Sequence, residues 1–226
     1  MKILVTGASD GIGRALALDY ARAGAEVLAT GRRPKADLPT GTTYVQADQS
    51  DAVAASQAIE AAVARMGGLD VAVLNAGIGF VGDPATDTRI DEQIEVNLSA
   101  TILVARAVAP FVLASGGSLV LVGSTARTAP NFAVYAATKA GLSGFARSLR
   151  EEWRGRAHVA ILHPGPTRTA MHEKAGLKVG LVRRAFLSPE TVARGIERAV
   201  RRRSGSRDLS RLWCVTAPKL AAGSLR

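Results

Sequence analysis

The sequence predicts an open α/β fold, a doubly wound parallel sheet in a single domain. Three observations carry this. Short apolar runs alternate with segments of helical spacing along most of the chain. The runs Ile3-Leu4-Val5, Val71-Ala72-Val73-Leu74 and Leu119-Val120-Leu121-Val122 are continuously apolar, which suits strands covered on both faces. A glycine-rich turn joins the first such run to the first helical segment. Strand–helix alternation then requires right-handed crossovers and helices on both faces of the sheet.

The elements follow in order. Lys2–Thr6 is the first strand and Ile12–Ala23 the first helix. Glu26–Thr30 and Thr43–Gln46 are the next two strands, and Asp51–Met66 is an Ala-rich helix with Asp51 near its start. Leu69–Leu74 is a fourth strand, Asp87–Leu113 carries one or two helices, and Leu119–Val122 is a fifth strand. Ala133–Trp153 is a long helix, Val159–Leu162 a sixth strand, and Pro189–Arg203 a helix with proline near its first turn. Asp208–Val215 reads equally as a final strand or as part of an irregular tail over 204–226. Between Arg32 and Thr43, Pro34, Pro39 and Gly41 leave no room for a full helix. The longest uncharged stretch, Ala107–Ala126, is broken by Pro110, Gly116-Gly117 and Gly123 and reads as a helix end, a turn and a buried strand.

Composition excludes several classes. The 226 residues suit one domain with a sizeable core, and 47% hydrophobic against 21% charged residues is a globular balance. Cys214 is the only cysteine, so no intramolecular disulfide or cysteine-rich zinc site exists, and three histidines (His158, His163, His172) leave little for a metal. No metal, no targeting segment and no transmembrane segment is expected, and a cytoplasmic location is the default. The net charge of +10 is uneven. Residues 1–150 hold 13 basic and 13 acidic side chains, whereas residues 151–226 hold 16 and 6. Such asymmetry fits either an anionic partner or a solvated Arg-rich surface. Aromatics are only 4% and no recognition motif accompanies the charge, so no nucleic acid is expected as a partner.

The chemistry-bearing positions lie just past strand ends, where open α/β sheets bind ligands. In Thr6-Gly7-Ala8-Ser9-Asp10-Gly11-Ile12-Gly13, Gly7 permits a tight turn, Gly11 lets the backbone approach a phosphate, and Gly13 allows close helix–strand packing. The helix N-terminus that follows offers free N–H groups to a pyrophosphate. Asn75-Ala76-Gly77 ends the fourth strand, Ser124 follows the fifth, and Pro164-Gly165 the sixth. Tyr135 and Lys139 are four apart on one helix, hence on one face.

In these motifs, together with Asp48, Asn97 and Thr169, the chain resembles the single-domain branch of the short-chain dehydrogenase/reductase family. The matches run in order from Thr6 to Thr169. The resemblance implies a Rossmann fold and an NAD(P)(H)-dependent oxidoreductase that moves a hydride between a nicotinamide cofactor and a small-molecule carbonyl or alcohol. It implies Asn97, Ser124, Tyr135 and Lys139 as the catalytic set. Tyr135 would be the general acid or base, Lys139 would lower its pKa from the ~10 of a free phenol, and Ser124 would hold the substrate oxygen. The Asn97 main chain would position a water joining Lys139 to solvent. Ser124 stands only eleven positions before Tyr135, shorter than the family spacing, and Thr125 is the neighbouring hydroxyl.

The implied cofactor-binding set is Gly7, Ser9, Asp10, Gly11, Ile12, Gly13, Arg32, Arg33, Asp48, Asn75, Ala76, Gly77, Tyr135, Lys139, Pro164, Gly165, Thr167 and Thr169. Gly31 stands where an NAD-preferring site carries an acid, and Arg32 and Arg33 follow, so NADP(H) is favoured over NAD(H). The implied substrate loop, residues 166–187, mixes Met171, Leu177, Leu181 and Phe186 with Arg168, Lys174 and Arg183. That mixture fits a lipophilic substrate, a carrier-bound one or a mobile lid. The Ser99–Leu113 and Ala133–Trp153 helices match the family's usual interface, so a homodimer or homotetramer is expected. The alternative function is a non-catalytic NADP(H)-sensing or scaffold protein of the same fold, which would be expected to lack Tyr135, Lys139 or Ser124.

Overall fold

A computed structural model describes residues 1–126, 132–171 and 186–209. Seven parallel strands form one sheet in the order β3-β2-β1-β4-β5-β6-β7. They are β1 (Lys2–Val5), β2 (Glu26–Gly31), β3 (Thr42–Gln46), β4 (Val71–Leu74), β5 (Ser118–Val122), β6 (His158–Pro164) and β7 (Ser206–Leu209). The order reverses between β1 and β4, and this switch point opens the crevice at the strands' carboxyl ends.

Residue alternation along the strands assigns the two cores. Ile3 and Val5 of β1 face one side of the sheet with Leu16 and Tyr20 of α1 (Gly11–Arg22) and Val192 and Ile196 of α6 (Pro189–Arg201). Leu4 faces the other side with α2 (Ala52–Met66), α4 (Ala100–Ala114) and α5 (Ala133–Glu152), through Ile59, Val63, Val104, Val108, Leu142 and Ala146. The strands are wholly buried wherever the sequence runs are continuously apolar. Asp51 caps α2 by accepting from the Ala54 N–H at 3.0 Å. Ser188 caps α6 in the same way, accepting from Thr191 N–H at 3.1 Å, with Pro189 in its first turn.

Three expectations are sharpened. The region read as one or two helices is a short α3 (Ile90–Ile94), a π-helical turn (Glu95–Ser99) and α4. The final strand starts earlier than Asp208, at Ser206, and runs to Leu209; residues 210–226 of the tail lie outside the described residues, as do 172–185 of the substrate loop. The Ala107–Ala126 stretch does divide into helix end, turn and β5. By length and composition, Ile90–Ala114 is apolar enough to cross a membrane, but half of its most apolar window is buried in the molecule, where Val104, Ala105, Val108 and Val112 join the core. No helix replaces the broken segment between β2 and β3.

β7 pairs with β6 along its length, and a side chain of α5 reinforces the approach to it. Arg150 of α5 donates from Nε to the Val159 carbonyl at 3.1 Å and from Nη2 to the Gly205 carbonyl at 2.9 Å. Substituting Arg150→Met leaves both acceptors short of a charged donor and should lower the unfolding free energy by about 1–3 kcal/mol. Urea unfolding checks this; an unchanged midpoint would contradict it.

Candidate functional site

The glycine loop and the end of β4 are built against each other. Gly7 has φ +64°, and a Cβ there would lie 2.8 Å from the Ala76 Cα. A Cβ on Gly13 would collide with the Gly7 carbonyl and the Asn75 amide. Asn75 Nδ2 donates to the carbonyls of Thr6 (3.0 Å) and Gly7 (3.3 Å), while the Thr6 hydroxyl accepts from the N–H groups of Asn75 (3.0 Å) and Ala76 (3.1 Å). Thr6, which opens the glycine motif, is therefore a structural keystone of the site, a role its place just before Gly7 does not by itself reveal. Asp10 caps α1, accepting from the Gly11 N–H at 2.7 Å, and Ile12 packs partly buried against the first core.

The π turn serves Asn97. This side chain is fully buried; its Oδ1 accepts from Ile78 N–H at 2.8 Å and its Nδ2 donates to the Ile78 carbonyl at 2.8 Å. It therefore grips the strand-end loop after Gly77 as a second backbone would. Nδ2 also reaches Thr138 Oγ1 on α5 at 3.3 Å, and the Thr138 hydroxyl donates to the Tyr135 carbonyl at 2.8 Å. Thr138 is a residue the sequence did not single out. Gln93 is another: its buried Oε1 accepts from Phe80 N–H at 2.8 Å. A Cβ on Gly77 would stand 3.1 Å from Asn97 Oδ1 and 3.3 Å from Lys139 Nζ, so glycine admits both.

Tyr135 and Lys139 are buried at the start of α5, facing the end of β5. Lys139 Nζ donates to the Val122 carbonyl at 3.0 Å and lies 5.7 Å from the Tyr135 ring centre. Burial lowers the Lys139 pKa from 10.5 to about 8. Burial also raises the Tyr135 phenol above its ordinary value, and a hydrogen bond from the Ser124 side chain partly offsets that rise. The expected lowering of Tyr135 by Lys139 is not seen. The ammonium is turned to a backbone carbonyl, and desolvation of the phenol is the larger effect.

Between the two candidate hydroxyls, the geometry separates Ser124 from Thr125. Thr125 Oγ1 turns to the Pro164 carbonyl at 3.3 Å. Ser124 Oγ accepts from Ala126 N–H at 3.0 Å, which leaves its own proton free to donate toward Tyr135.

The remaining positions frame the crevice. Thr169 stands over the glycine loop: its Cγ2 would lie 3.1 Å from a Cβ on Gly11. Pro164 ends β6, and Gly165 lies beside Leu187 and the Leu209 carbonyl. Thr167 is buried with its hydroxyl donating to the Gly165 carbonyl at 2.8 Å. Asp48 is exposed and accepts from Ser50 N–H at 3.1 Å. Arg32 is exposed, and Arg33 lies 3.4 Å from the Asp10 carboxylate. Ser9 of the glycine loop is half-buried beside Gly31. A cavity of about 250 Å³ opens beside this loop, lined by Asp10, Gly11, Arg14, Arg168 and Thr169 among others. A side-chain-free glycine cradle at a helix N-terminus, with two arginines at its mouth, fits a pyrophosphate-bearing dinucleotide.

Comparison with known proteins places the chain in a family. The family model described as short chain dehydrogenase matches residues 1–179. A hydroxysteroid 11-beta-dehydrogenase 1-like protein of Xenopus tropicalis is 38% identical over 166 residues, 67% of this chain and 58% of that protein. The 1-deoxy-11-beta-hydroxypentalenate dehydrogenase of Streptomyces arenae is 37% identical over 212 residues, 84% of this chain and 75% of that protein. The solved short-chain dehydrogenase from Sphingobium yanoikuyae in complex with NADPH superposes with a TM-score of 0.81 at 26% identity, covering 92% of this chain and 87% of that one. From the glycine cradle, the paired Tyr135 and Lys139 and a match spanning most of its length, the chain belongs to the short-chain dehydrogenase/reductase family, nicotinamide-dependent oxidoreductases acting on CH–OH and C=O groups.

Proposed function

We propose that the protein uses Tyr135 as the proton-transfer residue for reversible hydride exchange between NADP(H) and a lipophilic alcohol or ketone. The observation that carries this reading is the buried corner in which the Ser124 hydroxyl, the Tyr135 phenol and Lys139 meet at the carboxyl end of β5. Gly7–Gly13 and Asn75–Gly77 would hold the nicotinamide cofactor, which when bound would supply or accept the hydride. Everything else belongs to the chain. Ser124 donates to the substrate oxygen, a bond that strengthens as negative charge gathers there. Tyr135 gives that oxygen its proton in reduction and takes it back in oxidation. Lys139 keeps a positive charge beside the phenol, and the Asn97 carbonyl, which accepts from Thr101 Oγ1 at 3.1 Å, has a second lone pair for a water leading to solvent.

Arg32 and Arg33, the lack of an acid at Gly31 and the NADPH complex of the Sphingobium relative support NADP(H). Apolar residues in 166–187 and the two relatives named for hydroxysteroid and hydroxypentalenate substrates support a lipophilic substrate over a carrier-bound one. A homodimer or homotetramer in the cytoplasm, formed through the α4 and α5 helices, completes the proposal; light scattering returning a monomer would remove that part.

Two tests address the site. NADPH oxidation is screened over ketones, aldehydes, quinones and acyl-carrier thioesters. Tyr135→Phe should lower kcat by about a hundredfold or more while NADPH still binds, and Ser124→Ala should lower it by about tenfold or more. Retained turnover in the tyrosine variant would sink the mechanism. Lys139 provides the second test. Its folded pKa of about 8 lies below the ordinary 10.5, so burying the charge costs stability fully below pH 8, and that cost fades to nothing by pH 10.5. Lys139→Met should therefore abolish turnover yet raise the thermal midpoint at pH 7, with the gain shrinking as pH rises from 8 to 10.5. A midpoint that falls equally at every pH would show a merely structural lysine.

A further inference from the structure

The turn after β2 is held by side chains of β3. Gln46 Nε2 donates to the Arg32 carbonyl at 3.0 Å, and the Tyr44 hydroxyl donates to the Arg33 carbonyl at 2.8 Å. Tyr44 and Gln46 are two residues apart on a strand, so both project from the same face. The Tyr44 hydroxyl also receives a hydrogen bond from Ser9 of the glycine loop. One phenol thus ties the loop after β1 to the turn after β2.

Gly31 sits under this contact. A Cβ at position 31 would lie 2.8 Å from the Tyr44 hydroxyl oxygen and 3.0 Å from Ser9 Oγ, while the backbone of Gly31 is not left-handed. Glycine is therefore required by what stands above it, not by its own conformation. A carboxylate at position 31 would need the space that the Tyr44 hydroxyl fills. Below that hydroxyl, the Arg32 and Arg33 backbone is fixed at two successive carbonyls. Arg33 is partly neutralised by Asp10, 3.4 Å away, whereas Arg32 makes no ion pair with any described residue.

We infer that Tyr44 is the residue that determines cofactor specificity, because its hydroxyl occupies the place of a ribose-binding carboxylate at position 31 and fixes the turn that presents Arg32 to a 2′-phosphate. This deepens the NADP(H) reading and rests on it. A carboxylate accepts from a ribose diol and repels a phosphate dianion; a guanidinium does the reverse. Tyr44 selects between these two chemistries without touching the cofactor's reacting end.

The test measures binding, not turnover. Dissociation constants for NADPH, NADH, adenosine 2′,5′-bisphosphate and 5′-AMP are determined by calorimetry on four proteins: wild type, Tyr44→Phe, Gly31→Asp and the double variant. Thermal midpoints confirm that each is folded. Wild type should bind NADPH at least about tenfold tighter than NADH. Tyr44→Phe should weaken NADPH and the bisphosphate about three- to tenfold, and NADH and 5′-AMP less than about twofold. Gly31→Asp should weaken both dinucleotides, and adding Tyr44→Phe to it should restore NADH binding at least about fivefold. If wild type prefers NADPH but Tyr44→Phe leaves the ratio unchanged and the double variant shows no recovery, Tyr44 has no such role. If wild type binds NADH as tightly as NADPH, the NADP(H) reading itself fails, and the inference with it.

Discussion

The structure depends on the close approach between the first loop and the end of β4. Gly13 lies directly beneath the Gly7 carbonyl, and the Asn75 amide fills the wedge between them. Any side chain at position 7 or 13 would push β1 and α1 away from β4. The crevice at the switch point would then lose its floor, and the N-terminus of α1 would no longer face it. Thr6 completes the joint by offering one hydroxyl oxygen to two N–H groups of the β4 end, so polar groups of the two facing backbone segments are satisfied across it. Beyond the joint, Asn97 holds the loop after Gly77 through Ile78 and reaches α5 through Thr138.

A second theme is the cost carried by the corner where catalysis is proposed. A buried lysine held to a carbonyl and a buried tyrosine raised above its ordinary pKa are both less stable than apolar residues of the same size. The π turn that seats Asn97 is an irregularity of the same kind, since it interrupts regular α-helical pairing to aim one amide at the Ile78 backbone. These features persist because the apolar cores on the two faces of the sheet hold the strand ends rigid around them.

Much of this was legible in the sequence, for physical reasons. Strands buried on both faces appear as unbroken apolar runs, and the glycine spacing and the four-residue step from Tyr135 to Lys139 are local patterns. What could not be read is what depends on distant partners. Thr6 meets Asn75 and Ala76 about seventy positions away, Asn97 meets Thr138, and Tyr44 meets Ser9 and Gly31 across three strand ends. The Lys139 ammonium was expected to govern the Tyr135 phenol; its preference for the Val122 carbonyl, and the weight of desolvation, belong to packing that no spacing reveals. The positive charge of the last third is spread over different tasks: Arg203 serves the Gly116 carbonyl and Arg168 lines the cavity beside the glycine loop, while Ser124, Tyr135 and Lys139 of the proposed corner lie in the neutral part of the chain.

The central claim is that this crevice performs hydride transfer rather than only holding a dinucleotide. The most direct measurement follows the hydrogen itself, using NADPH deuterated at the transferring carbon and mass spectrometry of the product from a lipophilic ketone. The account predicts one deuterium on the new carbinol carbon and none on its oxygen, since the oxygen takes its proton from Tyr135 and ultimately from solvent. Tight NADPH binding with no deuterium delivered to any carbonyl in the screened classes would contradict it and leave a cofactor-sensing protein in its place.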